Sequence, residues 1–306
     1  MPRPRSRFWS GAAASMVFLA TEQLPLVVRW LGLRRLMPWP LVLGLRNLME
    51  ITLCAIGVAV VHRTGPRRAL AELGLRAPIG RAMLFAMLAT APMLITFAVR
   101  FPVSSTLAPL DILAFCFIAP FAEELVFRGY LFRQLYRHAR MGFWLSALIP
   151  SLLFAAAHLY QSDDPGELVG IVLITGAGSV LGCWLFVRWQ DNVWPLVGLH
   201  SLMNLWWAVF AVDSTALGGW LANAARLATV AVAIMLTIYK DRLWKPAAPP
   251  STATGPAPSS VDRDVLRTAA GLADNDRRAQ ERSSNAGTTR TVTPRDPIGL
   301  SSHAIA

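Results

Sequence analysis

Residues 109–132 read PLDILAFCFIAPFAEELVFRGYLF, an apolar stretch of membrane-spanning length that is interrupted by charged side chains. Roughly 20 consecutive apolar residues are enough for a helix to cross the hydrocarbon core of a bilayer. An ionisable group at that depth is energetically expensive, and such groups usually serve a function. Because Glu123, Glu124 and Arg128 all lie inside this stretch, it predicts a membrane helix that carries a functional site.

The rest of the composition also indicates a membrane protein. The 306 residues are 54% hydrophobic and only 15% charged, with a mean hydropathy of +0.45. An ordinary soluble domain carries roughly 25% charged residues, so a plain soluble enzyme is excluded. Further apolar segments of similar length lie at 8–29, 41–61, 83–99, 142–160, 168–187, 193–212 and 219–239. Together they predict an all-α, polytopic transmembrane helix bundle of about eight spans.

The chain is strongly basic, with 29 Lys and Arg against 18 Asp and Glu, a formal charge of +11. Nucleic-acid binding would require a soluble basic face. If eight spans alternate from an inside N-terminus, most of the cations fall instead in the loops on one side, at 1–7, 62–82, 133–141, 188–192 and from 240 onward. Cytoplasmic loops carry such an excess of Lys and Arg. We therefore predict a multi-pass protein of the cytoplasmic (inner) membrane, with both termini in the cytoplasm, the lipid bilayer as partner and no nucleic acid.

The composition changes after Lys245, which divides the chain into two predicted regions. Residues 1–245 would form the transmembrane domain. Residues 246–306 are rich in Pro, Ser, Thr and Arg without a sustained apolar run, and this composition predicts a disordered cytoplasmic tail. The three cysteines are Cys54, Cys116 and Cys183. Each lies in an apolar stretch without metal-ligand spacing, which predicts small buried apolar residues.

The first polar cluster is Glu123-Glu124-Leu-Val-Phe-Arg128. Residues four apart share one face of an α-helix, so Glu124 and Arg128 can form an ion pair. Glu123 is rotated by about 100° from its neighbour, which leaves its carboxylate available as a general base. The alternative interpretation is an acidic and basic patch at a helix end.

Two further clusters contain histidine. The first is Phe154-Ala-Ala-Ala-His158. Its histidine is either part of a catalytic site or a packing and interface residue near a span end. The second, His200-Ser-Leu-Met-Asn204, places two donors on one helix face, the arrangement that stabilises an oxyanion. Its alternative is a polar clamp between membrane helices.

These clusters follow one another on three predicted helices as E-E-x-x-x-R, F-x-x-x-H and H-x-x-x-N. Together they resemble the CPBP family of intramembrane proteases, which contains the CAAX prenyl endopeptidases of the Rce type and their bacterial abortive-infection relatives. The resemblance covers about residues 107–212. It implies a membrane-embedded endopeptidase that cuts near the C-terminus of a membrane-anchored or lipid-modified protein or peptide.

The resemblance also implies a role for each residue of the first two motifs. Glu123 would be the general base that takes a proton from the attacking water. Glu124 would position the site, with Arg128 balancing its charge. His158 would bind the water or shuttle the proton, and Phe154 would pack beneath it.

In the third motif, the resemblance implies that His200 and Asn204 stabilise the tetrahedral oxyanion. We expect no cofactor and no metal, although zinc bound by Glu123, His158 and His200 is the alternative. The metal-free glutamate mechanism is preferred because the sequence lacks H-E-x-x-H, and because Asn is a poor zinc ligand but a good oxyanion donor.

Two other functions fit parts of the same pattern. A proton-coupled transporter would use Glu123, His158 and His200 as a proton relay. Inverted repeats and paired broken helices would favour a transporter, and neither is recognisable in the sequence. A catalytically silent membrane scaffold of the same fold would use the motif helices only for packing.

Overall fold

The computed structural model describes residues 7–244, and every regular element within that range is a helix. The predicted all-α class is therefore confirmed. All of these residues belong to the predicted transmembrane domain. The predicted disordered tail, 246–306, lies outside the described residues.

The N-terminal part consists of helices of unequal length. They are α1 (Arg7–Glu22), α2 (Leu24–Trp30), α3 (Leu33–Leu36), α4 (Trp39–His62), α5 (Pro66–Glu72) and α6 (Gly80–Arg100). A proline stands in the first turn of α2, α4 and α5. Proline suits this position because the first turn leaves its N–H groups without helical partners anyway. These prolines mark where the three helices begin.

Residues 109–138 form one continuous helical rod, α7, which contains the predicted stretch 109–132. Its successive segments are Pro109–Asp111 (α), Ile112–Ile118 (π), Ala119–Glu124 (α), Leu125–Phe132 (π) and Gln134–His138 (π). The sequence predicted a regular α-helix, so the π-helical turns are a correction. Pro120 supplies a physical reason for the first of them, because it has no N–H to donate to the carbonyl one α-helical turn earlier. Consequently Glu123 and Glu124 occupy a short α-helical stretch between two π segments, a kind of irregularity that is frequent at functional sites.

Four longer helices complete the bundle. They are α8 (Phe143–Ala156), α9 (Pro165–Arg188), α10 (Trp194–Val209) and α11 (Trp220–Leu243), with a short 3₁₀ turn at Leu159–Gln161. The start of α9 is capped by Asp164, whose side chain accepts a hydrogen bond from the Glu167 backbone N–H. An Asp cap followed by proline is a strong local start signal.

Within residues 7–244, six helical stretches are long and apolar enough to cross a membrane, so this is a multi-pass membrane protein. They are Trp9–Trp30, Trp39–His62, Gly80–Arg100, Phe143–Gln161, Pro165–Arg188 and Trp220–Leu243. Each corresponds to a predicted span. The other two predicted spans coincide with α7, which carries the charged cluster, and with α10, which has 16 residues. The total of eight spans stays a prediction.

The rod α7 lies inside the bundle, where it contacts α1, α4, α8, α9 and α10. Every residue from Leu125 to Phe132 is buried. The surrounding helices instead expose large apolar side chains such as Ile95, Leu152 and Leu173. An apolar outer surface suits contact with lipid, while Glu124 and Arg128 of α7 are enclosed by protein.

The connecting segments group at the two ends of the bundle. At one end, Arg133 pairs with Glu72 at 3.1 Å, and Arg137 pairs with Asp191 at 2.9 Å. At the other end of α9, Glu167 accepts a hydrogen bond of 2.7 Å from Thr215. These ion pairs join, at the same end of the bundle, three segments that the sequence predicted on one side of the membrane: 62–82, 133–141 and 188–192.

Candidate active site

Glu124 and Arg128 form the ion pair that their spacing predicted. Arg128 Nη1 lies 3.0 Å from Glu124 Oε1, and Arg128 is 2% exposed while Glu124 is 4% exposed. A buried ion pair has to compensate for the desolvation of both groups, so it holds only with good geometry and further hydrogen bonds. The surrounding side chains therefore fix the position of this pair.

His200 of α10 lies between the two carboxylates of the first motif. Its Nδ1 is 2.8 Å from Glu124 Oε1, and its Nε2 is 3.8 Å from Glu123 Oε2. The first distance is a hydrogen bond, whereas the second is longer than one. The structure thus joins the first and third motifs directly, through one imidazole ring.

Glu123 points away from Arg128, as the 100° rotation predicted. Its side chain is 32% exposed, in contrast to the enclosed Glu124. A second acidic side chain, Glu50 of α4, is within electrostatic reach of Glu123 and pairs with Arg46 at 3.1 Å. Arg46 and Glu50 stand four residues apart and so share one face of α4, but no local pattern indicates that they lie near the first motif.

Phe154 connects the histidine motifs to the arginine. The Arg128 guanidinium lies 4.8 Å from the centre of the Phe154 ring, a cation–π contact. The same ring lies 4.6 Å from the ring of His158 and 6.3 Å from that of His200. Phe154 is therefore the packing centre of the site.

His158 reaches the site only through Phe154. Its Nδ1 lies 2.8 Å from the Phe154 backbone carbonyl. Because a carbonyl oxygen only accepts hydrogen bonds, Nδ1 must carry the proton, and Nε2 of the neutral ring keeps a lone pair. Among the described residues, no contact joins His158 directly to Glu123, Glu124 or His200.

Asn204 stands one turn after His200 on α10 and faces the first π segment of α7. Its Nδ2 lies 3.4 Å from the carbonyl oxygen of Phe115. This is at the long end of the hydrogen-bond range, so the amide can exchange partners at little cost.

The residues of the alternative zinc site do not fit a metal in this arrangement. Across residues 7–244, no three His, Cys, Asp or Glu side chains are grouped so that they could hold a metal ion. Of the predicted set, His200 lies beside Glu123, but no contact among the described residues brings His158 to either of them. Structural and catalytic zinc sites use at least three protein ligands.

An apolar groove of about 570 Å³ runs beside the site between α6, α7 and α10. Its lining includes Met83, Phe117, Phe121 and Leu202. It also includes Ser201, the chain neighbour of His200. The groove and the polar cluster thus share α7 and α10, where Phe121 and Ser201 are close in sequence to Glu123 and His200.

The comparison with known families agrees with the motifs. The chain is a multi-pass helical membrane protein with an enclosed Glu–Arg–His cluster. Residues 104–206 match the family described as type II CAAX prenyl endopeptidase, Rce1-like. The resemblance drawn from the three motifs is therefore confirmed over this stretch, which contains all of them. No curated protein matches the chain.

Proposed function

We propose that this protein is an intramembrane endopeptidase that hydrolyses a peptide bond near the C-terminus of a membrane-anchored or lipid-modified protein or peptide. The observation that carries the proposal is that the adjacent carboxylates of Glu123 and Glu124 have different burial and different partners. Glu124 is enclosed and paired with Arg128 and His200, whereas Glu123 is partly exposed and has only the longer contact of 3.8 Å with His200 Nε2. Glu124 therefore stabilises the site through its ion pair and hydrogen bond, and Glu123 is free to accept a proton.

The proton positions follow from the contacts of His200. Its Nδ1 faces the Glu124 carboxylate, which only accepts hydrogen bonds, so Nδ1–H is the donor. A donor at Nε2 as well requires the imidazolium form. With that form, the positive charges of Arg128 and His200 balance the negative charges of Glu123 and Glu124, and the enclosed cluster is neutral.

Hydrolysis then needs no protein nucleophile. A water oxygen attacks the carbonyl carbon while Glu123 takes one of the water protons. His200 Nε2–H and the Asn204 amide donate hydrogen bonds to the oxyanion, for which Asn204 gives up its long contact with Phe115. Collapse of the intermediate breaks the C–N bond, and Glu123 returns the proton to the leaving amine. During the attack, His158 Nε2 accepts a hydrogen bond from the second O–H of the water, and this hydrogen stays on the new carboxyl group.

The apolar groove supports a substrate with an apolar segment next to the scissile bond. Its walls are almost entirely hydrocarbon and aromatic, and Ser201 brings one end of it next to His200. A lipid chain or an apolar peptide segment in this groove would leave the adjoining peptide bond beside Glu123. A soluble polar peptide would gain little from the groove.

We further propose that the protein resides in the cytoplasmic membrane with both termini in the cytoplasm. The joined segments around Glu72, Arg137 and Asp191 support a common side for the loops rich in Arg. Reporter fusions after Arg76 and Arg140 are expected to report the cytoplasm. A periplasmic signal from either fusion would contradict the orientation.

The activity is tested with Glu123→Gln in the full-length protein in its native membrane. Gln keeps the shape but cannot take a proton, so we expect the C-terminal processing of one or more membrane proteins or peptides to stop. The measurement is proteomics of membrane-protein C-termini against the wild type. Cys116→Ala is the matched control on the same rod, because a buried thiol has no part in this mechanism.

Unchanged processing in the Glu123→Gln variant would contradict the proposal. If Glu123→Gln reaches wild-type levels in the membrane and every C-terminus is unchanged, the protein is not a glutamate-dependent peptidase. A proton flux that Glu123→Gln abolishes in proteoliposomes would then favour the transporter, and no flux in either protein would favour the scaffold.

A further inference from the structure

The guanidinium of Arg128 is held against a glycine of another helix. Gly182 lies on the buried face of α9. A Cβ added to it would lie 3.0 Å from Arg128 Nε, 3.2 Å from Nη2 and 3.4 Å from Cζ. A side chain at 182 would therefore force the guanidinium to shift by a few tenths of an ångström.

Three different helices fix this guanidinium. Glu124 on its own rod accepts from Nη1 at 3.0 Å. Phe154 of α8 lies against it, with 4.8 Å between Arg128 Cζ and the ring centre. On α9, position 182 faces Nε and Nη2 without a side chain, and the neighbouring Cys183 thiol also interacts with Arg128. Because Arg128 is only 2% exposed, it has no solvent-filled space into which it could move.

We propose that Gly182 is a positioning residue of the hydrolytic site: its missing side chain forms the notch that holds the Arg128 guanidinium on Glu124. The consequence passes along the hydrogen bonds, because Glu124 also holds Nδ1 of His200 at 2.8 Å. A shift of Arg128 would release Glu124 and turn the imidazole that lies beside Glu123. The expected effect on catalysis rests on the proposed function. The expected effect on the Glu124–Arg128 ion pair does not depend on it.

The same helix offers a matched control. Gly178 stands one turn before Gly182, and a Cβ added there meets no atom within 4 Å. Gly178→Ala therefore makes the same chemical change on α9 without touching Arg128. A general effect of alanine on this helix would appear in both variants, and an effect on the guanidinium only in Gly182→Ala.

The test is a double-mutant cycle between Gly182→Ala and Arg128→Lys in the full-length membrane protein. Lysine keeps a positive charge for Glu124 but lacks the guanidinium edge that meets position 182. We expect Gly182→Ala alone to slow the processing event that Glu123→Gln abolishes, by roughly 10-fold to 100-fold. In the Arg128→Lys background, the same substitution should change the rate by less than about twofold, because the clashing atoms are gone.

The thermal unfolding midpoint in detergent is the second readout and needs no substrate. Gly182→Ala should lower it when residue 128 is Arg and leave it unchanged when residue 128 is Lys. If Gly182→Ala fails to accumulate, Arg128→Lys in the same chain should restore accumulation, and a failure to restore it would overturn the proposal. Equal losses in both backgrounds would show a packing defect of α9 alone and would also overturn it. A normal rate in Gly182→Ala beside an inactive Glu123→Gln would refute the role of Gly182 and leave the peptidase function standing.

Discussion

Glu124 is the side chain on which most of the polar contacts of the site converge. It is 4% exposed and accepts from both Arg128 and His200. In an apolar helix, a carboxylate without a partner would be far more costly than one exposed to water. Arg128 and His200 thus make it possible for the Glu124 carboxylate to stay charged at this buried position.

Removal of one partner should therefore destabilise the protein strongly. We expect Arg128→Ala to lower the free energy of unfolding by about 3–5 kcal/mol, because the Glu124 charge stays buried without its main partner. Chemical unfolding in detergent micelles measures the difference. Arg128→Lys should lose much less, because the positive charge remains.

A double variant without charge at residues 124 and 128 distinguishes an effect on stability from an effect on activity. Glu124→Gln combined with Arg128→Met removes both charges and keeps similar volumes. The stability of this double variant should return close to that of the wild type, as for other buried pairs replaced together, while processing stays low. A double variant as unstable as Arg128→Ala would argue against the ion pair as the source of the loss.

At the scale of elements, the position of α7 is set by close backbone contacts as well as by side chains. Gly129 lies in the second π segment, and a Cβ added to it would lie 2.7 Å from the backbone carbonyl oxygen of Leu73, just after α5. A carbonyl group of the main chain cannot rotate away like a side chain. The rod and the end of α5 can approach this closely only with glycine.

Gly129→Ala should therefore push α7 away from α5 and lower the free energy of unfolding by about 1–3 kcal/mol, the usual cost of an overpacked core. The measurement is again unfolding in micelles. Gly178→Ala is the control, and its open surroundings predict a change of no more than about 1 kcal/mol. A stable Gly129→Ala protein would mean that the two elements can separate freely.

At the scale of the whole molecule, a charged cluster outside the membrane-spanning segments ties α5, the end of α7 and the α9–α10 loop together. The His138 side chain, followed by Arg133, holds the pKa of Glu72 down at about 2. A carboxylate with a pKa lower in the folded than in the unfolded chain stabilises the folded state above its ordinary pKa of 4.5. That stability is lost as the pH falls from 4.5 towards 2.

We therefore expect the unfolding midpoint of the wild type to fall between pH 4.5 and pH 2 more steeply than that of Glu72→Gln. The two proteins should differ most above pH 5 and converge near pH 2. Thermal unfolding across this range tests the prediction. Parallel curves for the two proteins would show that Glu72 contributes no such stability.

The proposed peptidase activity should also survive exhaustive chelation. Glu124 is already paired with Arg128 and His200, and within residues 7–244 the members of the alternative zinc set are not grouped as ligands. The measurement is the processing rate in membranes treated with a strong chelator. A loss of rate that added zinc restores would contradict the metal-free mechanism.

The sequence alone determined the features that depend on local spacing and composition. The long apolar segments predicted the all-α membrane bundle, because a helix is the local way to satisfy backbone hydrogen bonds in lipid. Glu124 and Arg128 pair as predicted, since residues four apart in a helix are neighbours whatever surrounds them. The three ordered motifs likewise predicted the family resemblance.

The tertiary structure decided everything that depends on contacts between helices. His200 bonds to Glu124 across 76 residues of chain, and no spacing within one helix could have assigned it to that carboxylate. The same holds for Phe154 as the packing centre and for Gly182, which in the sequence is only one of several small residues on α9. Local spacing fixes which face of a helix a residue occupies, but only the packing of helices against each other fixes what that face meets.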